Sequence, residues 1–355
     1  MDKFLTRGIV VSGRFLRYHF VMKILITTGI YPPAIGGPAQ YAKNLAQALE
    51  RAGHKVRVAR YTFEYRLPTG LRHLWFFCKI LFSAARADFV IALDTWSVGL
   101  PSVAAGAVFG TPVIIRTGGD FLWEFYVERT GDLVLLKNFY QTSISKFNLK
   151  ERLIFRLTGF TLRNAKRLVF SAGWQRMIFQ KPYKLDLAKT AIVENFYGPK
   201  IGALPSSKKN FIAGVRKLKW KNTERLRTAF ETASRGVPNI ELDLHTYAHE
   251  EFIKKVRECY AVILVSLGDI SPNTVIDALS CGKPVILTRE NGLYEKLKDS
   301  VIYADPENVA DISSKIVWLC DPKNYATARA RAEAFKFEHS WEEIAREFID
   351  IYQKL

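Results

Sequence analysis

The sequence predicts an α/β protein built from two doubly wound, parallel-sheet halves, and three observations lead to it. Strand-like and helix-like segments alternate along the chain. The alternation breaks at NFYGPKIGALPSSKKN (195–210), a stretch rich in Gly, Pro, Ser and Lys, and then starts afresh. The chain of 355 residues is also longer than one ordinary core accommodates.

Each element follows from its pattern. KILITTGI (23–30) is a continuous apolar, β-branched run, as a buried parallel strand requires. AQYAKNLAQALERAG (39–53) has helical spacing and stops at Gly53. HKVRVARY, DFVIALD, TPVIIRT and RLVFSAG read as further strands, with helices at LRHLWFFCKILFSAAR (71–86) and PSVAAGAVFG between them. The second half repeats the scheme with strands FIAGVRKL, NIELDLHTYA, YAVILVS and KPVILTR. Helices TERLRTAFETASRG, EEFIKKVREC and SPNTVIDALSCG separate those strands. Two such sheets place the default ligand site in the cleft between their carboxyl ends.

Composition narrows the function classes. With 48% apolar and 24% charged residues the chain is globular, and no uncharged apolar run is long enough for a transmembrane helix. Residues 1–21 are basic and lack a signal-peptide core and cleavage site, so they read as an extension, or as the product of a start codon ahead of Met22. Cys78, Cys259, Cys281 and Cys320 form no paired motif and read as buried free thiols in a reducing compartment. The net charge of +18 is uneven: residues 1–87 hold 14 basic and 3 acidic residues, and residues 137–189 hold 12 and 2. The first half is therefore expected to meet an anionic partner.

Three segments carry phosphate chemistry. Gly36-Gly37 follows the first strand and precedes Pro38, which suits a helix's first turn. Glycines there let backbone N–H groups approach an anion at a helix N-terminus, although a tight turn would need the same pair. The spacing is not that of a dinucleotide fingerprint. GVRKLKWK (214–221) places Arg216 and Lys221 in one loop after a strand, which suits a diphosphate as well as a solvated basic loop. In LVSLGDISPNTVIDALSCGKPVIL (264–287), Ser271 is expected to cap a helix whose first turn holds Pro272, Asn273 and Thr274. Asp269 precedes that helix, and Asp277 lies within it, placed to accept ribose hydroxyls.

These segments together resemble the family 4 retaining glycosyltransferases of the GT-B fold. IYPPAIGGPAQYAKNLAQALERAGHKVRV is similar to the family's first strand, glycine loop and helix. GVRKLKWK is similar to its Gly-Arg…Lys loop, and DISPNTVID to its Glu-x7-Glu motif with Asp at both ends. SAGWQRMIF and VEN resemble the segments entering the interdomain crossing, and SWEEIAREFIDIYQKL the closing helix. The resemblance implies two Rossmann-like domains: an extension 1–21, an acceptor-side domain 22–195, a linker 196–210, a donor domain 211–337, and a closing helix 338–355 packed on the first domain. It implies Arg216 and Lys221 on the donor diphosphate and Gly36, Gly37, Ser271, Asn273 and Thr274 around it. It also implies Asp277 on the ribose and Asp269 on the donor-sugar side. Where the family often has a histidine, the text is RTGGDFLWE; Asp120 and Arg116 are the polar groups available, with Asp94 and Trp96 as further cleft candidates.

The implied reaction moves a sugar from a nucleotide-diphosphate donor with retention, without cofactor or metal, since no Asp-x-Asp pair is present. The expected acceptor is a lipid-linked or polyanionic glycan, met from the cytoplasm on an anionic membrane. In 71–86 the spacing is read with Leu71, Leu74, Trp75, Cys78, Leu81, Phe82 and Ala85 facing the core, leaving Phe76 and Ile80 exposed beside Arg72 and Lys79. Arg152, Arg156, Arg163 and Arg167 fall on one face of a second helix. Two rivals stay open: another GT-B enzyme, such as a sugar-nucleotide epimerase, and a basic nucleic-acid binder. No recognised nucleic-acid motif carries the charge.

Overall fold

A computed structural model describes residues 21–355 except Ile35, Ser207 and Val215. The expectation for residues 1–21 thus lies outside the described residues, Val21 apart. The chain runs β1 (Lys23–Thr28), α1 (Gly37–Arg51), β2 (Lys55–Arg60), α2 (Thr69–Ala85), β3 (Phe89–Ala92), α3 (Gly99–Phe109) and β4 (Val113–Thr117). There follow α4 (Phe121–Thr130), α5 (Leu136–Thr142), α6 (Leu149–Asn164), β5 (Arg167–Phe170), α7 (Gly173–Tyr183) and β6 (Thr190–Ile192). The second half holds β7 (Lys209–Ile212), α8 (Thr223–Ser234), β8 (Ile240–Asp243), α9 (His249–Glu258), β9 (Ala261–Leu264), α10 (Asn273–Ser280) and β10 (Val285–Thr288). It closes with α11 (Tyr294–Leu297), β11 (Ile302–Ala304), α12 (Val309–Cys320), α13 (Pro322–Ala334) and α14 (Trp341–Gln353).

Among the described residues there are two wholly parallel sheets, ordered β2-β1-β3-β4-β5-β6 and β11-β10-β9-β7-β8. Each reverses direction once, between β1 and β3 and between β7 and β9. Loops splay apart at such reversals and open a crevice beyond the strand ends. The Gly36-Gly37 loop and Asp94 follow β1 and β3; the Arg216–Lys221 loop and Asp269 follow β7 and β9.

The first sheet is covered on both faces. Ile24, Ile26 and Phe89 point toward α1, where Tyr41 and Leu45 meet Ile344, Ala345 and Phe348 of α14. Helix α14 starts on a capping box, Ser340 with Glu343, which fixes where the returning chain turns helical. The other face packs under α2, α3 and α6, with α3 lying between the other two.

Three expectations are corrected here. In α2, Phe76 and Ile80 are wholly buried, and the side read as core-facing is outside: Leu71, Leu74, Trp75 and Phe82 are 54–71% exposed. The helix is apolar almost all round, so periodicity could not set its phase; packing against α3 does. Arg72 is tied to the carbonyls of Glu64 and Leu67, and Lys79 forms an ion pair with buried Glu64. Cys78 is exposed, while Cys259, Cys281 and Cys320 are buried. Helix α6 ends at Asn164, so Arg167 belongs to β5 and not to the row of Arg152, Arg156 and Arg163.

Candidate active site in the interdomain cleft

Two helix N-termini meet in the cleft. Helix α1 begins after Gly36, whose φ of 144° is open to glycine alone, and no side chain caps it. Helix α10 begins after Pro272, also without a side-chain cap. A Cβ placed on Gly37 would lie 3.4 Å from Asn273 Nδ2, so the two helix starts are in van der Waals reach. Contrary to expectation Ser271 does not cap α10, because Pro272 is the cap residue; its hydroxyl is buried and unpartnered. Thr274 is half-buried in the first turn. Uncapped N-termini concentrate unsatisfied N–H donors and positive potential at one point.

Arg116 stands beside this junction. It is buried at the end of β4, its guanidinium centred 3.9 Å from the Tyr41 ring centroid, and it donates to Asn195 Oδ1 at 2.5 Å. Asn195 in turn donates to Asn273 Oδ1 at 3.0 Å. Among the described residues no acid forms an ion pair with Arg116, and its Nε lacks a hydrogen-bond partner. A buried charge without a counter-ion is costly unless an anion is to arrive.

The basic loop of the second domain is differently placed. Lys221 Nζ lies 2.7 Å from Asp269 Oδ2, an ion pair largely shielded from water, and Ser266 Oγ donates to the same oxygen at 3.3 Å. Arg216 is exposed. The loop leans on the first domain: Lys219 N donates to Glu128 Oε1 at 2.7 Å, and Trp220 packs on Trp123 at 5.3 Å. Asp277 is half-buried on α10 and accepts from His249, the first residue of α9, at 3.2 Å, and that contact raises the histidine above its ordinary value.

Asp120 caps α4, accepting from the Leu122 and Trp123 amides at 3.1 Å each. Its second oxygen accepts from Tyr140, which bonds Tyr183. Burial pushes its carboxyl up to about 6, against the pull of these donors. Asp94 is a turn-former, accepting from the Trp96, Val98 and Gly99 amides; burial raises it. Trp96 is buried, edge-on to His73 at 4.6 Å.

One residue escaped the sequence reading. Glu124 lies one turn beyond Asp120 on α4, half-buried, within the fields of Arg216, Lys221, Asp120 and Asp269. Burial pushes it up to about 7, with the two cations opposing and the two aspartates reinforcing. Its spacing of four from Asp120 was the available signal, since residues so spaced share a helix face. Among the described residues no acid–histidine–cysteine cluster could hold a metal ion.

No family model matches the chain. A stretch of 84 residues is 34% identical to the O-antigen chain mannosyltransferase B of Escherichia coli; it is 23% of this chain, and the chain spans 22% of that relative's length. The structure is similar to Anabaena HepE, solved with UDP and glucose, at a TM-score of 0.67 and 15% identity over 94% of this chain and all of that one. It is similar to the lipopolysaccharide-biosynthesis glycosyltransferase WaaG at 0.66 and 13% over 93% and 99%, and to the galactosyltransferase WaaB at 0.60 and 13% over 94% and 100%. The fold is therefore GT-B: two parallel-sheet α/β domains facing one cleft.

Proposed function

We propose that the protein is a retaining glycosyltransferase that takes a sugar from a nucleotide-diphosphate donor and passes it to a lipid-linked or polyanionic glycan. The observation that carries this reading is the meeting of two uncapped helix N-termini beside Arg116, a buried cation that forms no ion pair with an acid among the described residues. Such a site fits a diphosphate. The HepE structure, solved with UDP and glucose on the same fold, supports it, as does the mannosyltransferase stretch.

The leaving group sets the chemistry. As the sugar–phosphate bond breaks, negative charge grows on the outer phosphate. Arg216, Lys221 and the N–H groups of α1 and α10 stabilise that charge electrostatically. Lys221 must then exchange Asp269 for phosphate, leaving Asp269 toward the donor sugar. Asp277 turns from His249 to the ribose. The acceptor hydroxyl attacks on the face that the phosphate leaves, and the phosphate takes its proton. Asp120 and Glu124 orient the acceptor or the sugar.

A thermal-shift panel of nucleotide sugars tests the reading, followed by NMR of the product's anomeric configuration. Stabilisation by one donor, with an unchanged anomeric configuration, is the expected result. Inversion would remove the retaining assignment, and indifference to every donor would remove the transferase.

A further inference from the structure

The outer surface of the α2–α3–α6 layer is unusual for a protein in water. On α2 the exposed residues Leu71, Leu74, Trp75, Cys78 and Phe82 recur at intervals of 3, 1, 3 and 4, one continuous stripe. Phe82 is 71% exposed. Phe63 extends the stripe, its ring 6.2 Å from Trp75. On α6, across α3, Leu149 is 84% exposed and is followed by Leu153 and Phe160 on the same side. Scattered apolar residues are ordinary, but two parallel stripes on one side of a domain mark a contact surface.

Charge says what covers it. Lys150, Arg152, Arg156 and Arg163 alternate with the α6 stripe and are exposed, and among the described residues none of them forms an ion pair. The neighbouring acids are already taken, Glu64 by Lys79, Glu151 by Arg129 and Asp132 by Lys146. A face that is apolar and uncompensated in positive charge is complementary to an anionic lipid surface: rings and leucines enter the headgroup boundary while the arginines meet phosphate.

Along its cleft-side edge, rings bridge the two stripes. His73 of α2 meets Trp96, Trp96 stacks on Phe121 at 6.4 Å, Phe121 stacks on Phe125 at 6.0 Å, and Lys150 of α6 sits 4.8 Å over Phe125. Phe121 follows Asp120 directly, so this edge runs to the cleft.

We propose that the outer face of α2 and α6 seats the protein on an anionic bilayer, with the Trp96–Phe121–Phe125 edge bringing the cleft mouth to the lipid. This is the side of α2 opposite to the one expected from sequence spacing. The docking itself is independent of the glycosyltransferase reading; only the use of the edge for a lipid-linked acceptor rests on that reading.

The test is flotation of the full chain with vesicles of phosphatidylcholine alone or with a third phosphatidylglycerol, in low and high salt. Flotation should need the anionic lipid and fall at least about tenfold in 1 M salt, where screening is nearly complete. Brominated lipid should quench tryptophan emission, and Trp75→Ser should remove most of that quenching. Arg152→Glu with Arg156→Glu, and Leu74→Gln with Phe82→Gln, should each lower binding about tenfold or more. All variants should keep wild-type melting temperature and nucleotide affinity, the latter read by calorimetry. Equal recovery with neutral and anionic vesicles, or wild-type binding by both double variants, overturns the docking. So does light scattering showing a dimer that the α2 variant dissociates, for then a second copy covers the face. A chain that floats as described but binds no nucleotide sustains the docking and refutes the glycosyltransferase reading.

Discussion

The two walls of the cleft hold their charges in opposite ways. On the second-domain wall, Lys221 is already closed onto Asp269 at 2.7 Å, and Asp277 onto His249 at 3.2 Å. On the first-domain wall, Arg116 is buried and donates to the Asn195 amide oxygen, and the Glu124 carboxyl is pushed up to about 7. A paired charge stabilises the empty protein and must be released when a ligand binds. An unpaired buried charge costs the empty protein stability and is satisfied by the ligand. The second wall thus holds itself together in the empty protein, and the first is left for a ligand to complete.

The sharpest tests are ordered by size of effect. Arg216→Ala should cost about 2–4 kcal/mol of transition-state stabilisation, a fall in kcat/KM of about 10²–10³, because it removes one cation from the charge that grows on the leaving phosphate. Near-normal turnover would take the loop out of the chemistry.

The walls part company in a matched pair of substitutions. Lys221→Met strands the shielded Asp269 and should destabilise the empty protein by about 1–3 kcal/mol while weakening donor binding. Arg116→Met removes a buried charge that has no acid to strand; stability should hold or rise, while donor affinity falls about tenfold or more. Urea melts and calorimetry on both variants separate the two outcomes, and equal losses of stability would erase the contrast between the walls.

Glu124 adds a pH signature. Its raised carboxyl is half-protonated near pH 7, so kcat/KM should show a limb there that Glu124→Gln abolishes. The sign for stability is equally fixed. A carboxyl raised on folding contributes stability that is present below its unfolded value and is lost as pH rises through about 7. Wild type should therefore lose stability relative to Glu124→Gln between about pH 4 and 7. A limb unchanged in the variant would assign it to another group, Asp120 at about 6 first. The smallest effect is expected from EDTA, which should leave activity as it was; loss restored by manganese would contradict a site built from cations and helix ends.

How much of this was legible in the sequence follows from what each signal encodes. Buried parallel strands such as Lys23–Thr28 and Val285–Thr288 announce themselves because burial on both faces demands unbroken apolar runs. Strands Thr190–Ile192 and Ile302–Ala304 went unread: they are three residues each, at sheet edges and mostly half-buried, too short for their apolar runs to stand out. Glycine pairs and charged loops after strands marked Gly36-Gly37, Arg216 and Lys221, because topology puts such loops in the crevice. The pairing of Lys221 with Asp269, 48 residues away, depends on β7 and β9 lying side by side in the second sheet, and the setting of Glu124 on how the two domains close; no local pattern records either. The phase of α2 was misread for a related reason. A helix apolar on both sides has no stripe to read, and its buried side is chosen by α3.

The central claim is that the two helix starts and the cations around them form a nucleoside-diphosphate site. Calorimetric titration with UDP, GDP and ADP, on wild type and Asp277→Asn, tests it most directly. The account predicts that one of the three binds, with an affinity that falls as ionic strength rises and weakens in Asp277→Asn as a ribose contact is lost. No binding by any of them, or one affinity unchanged by salt and by Asp277→Asn alike, would contradict it.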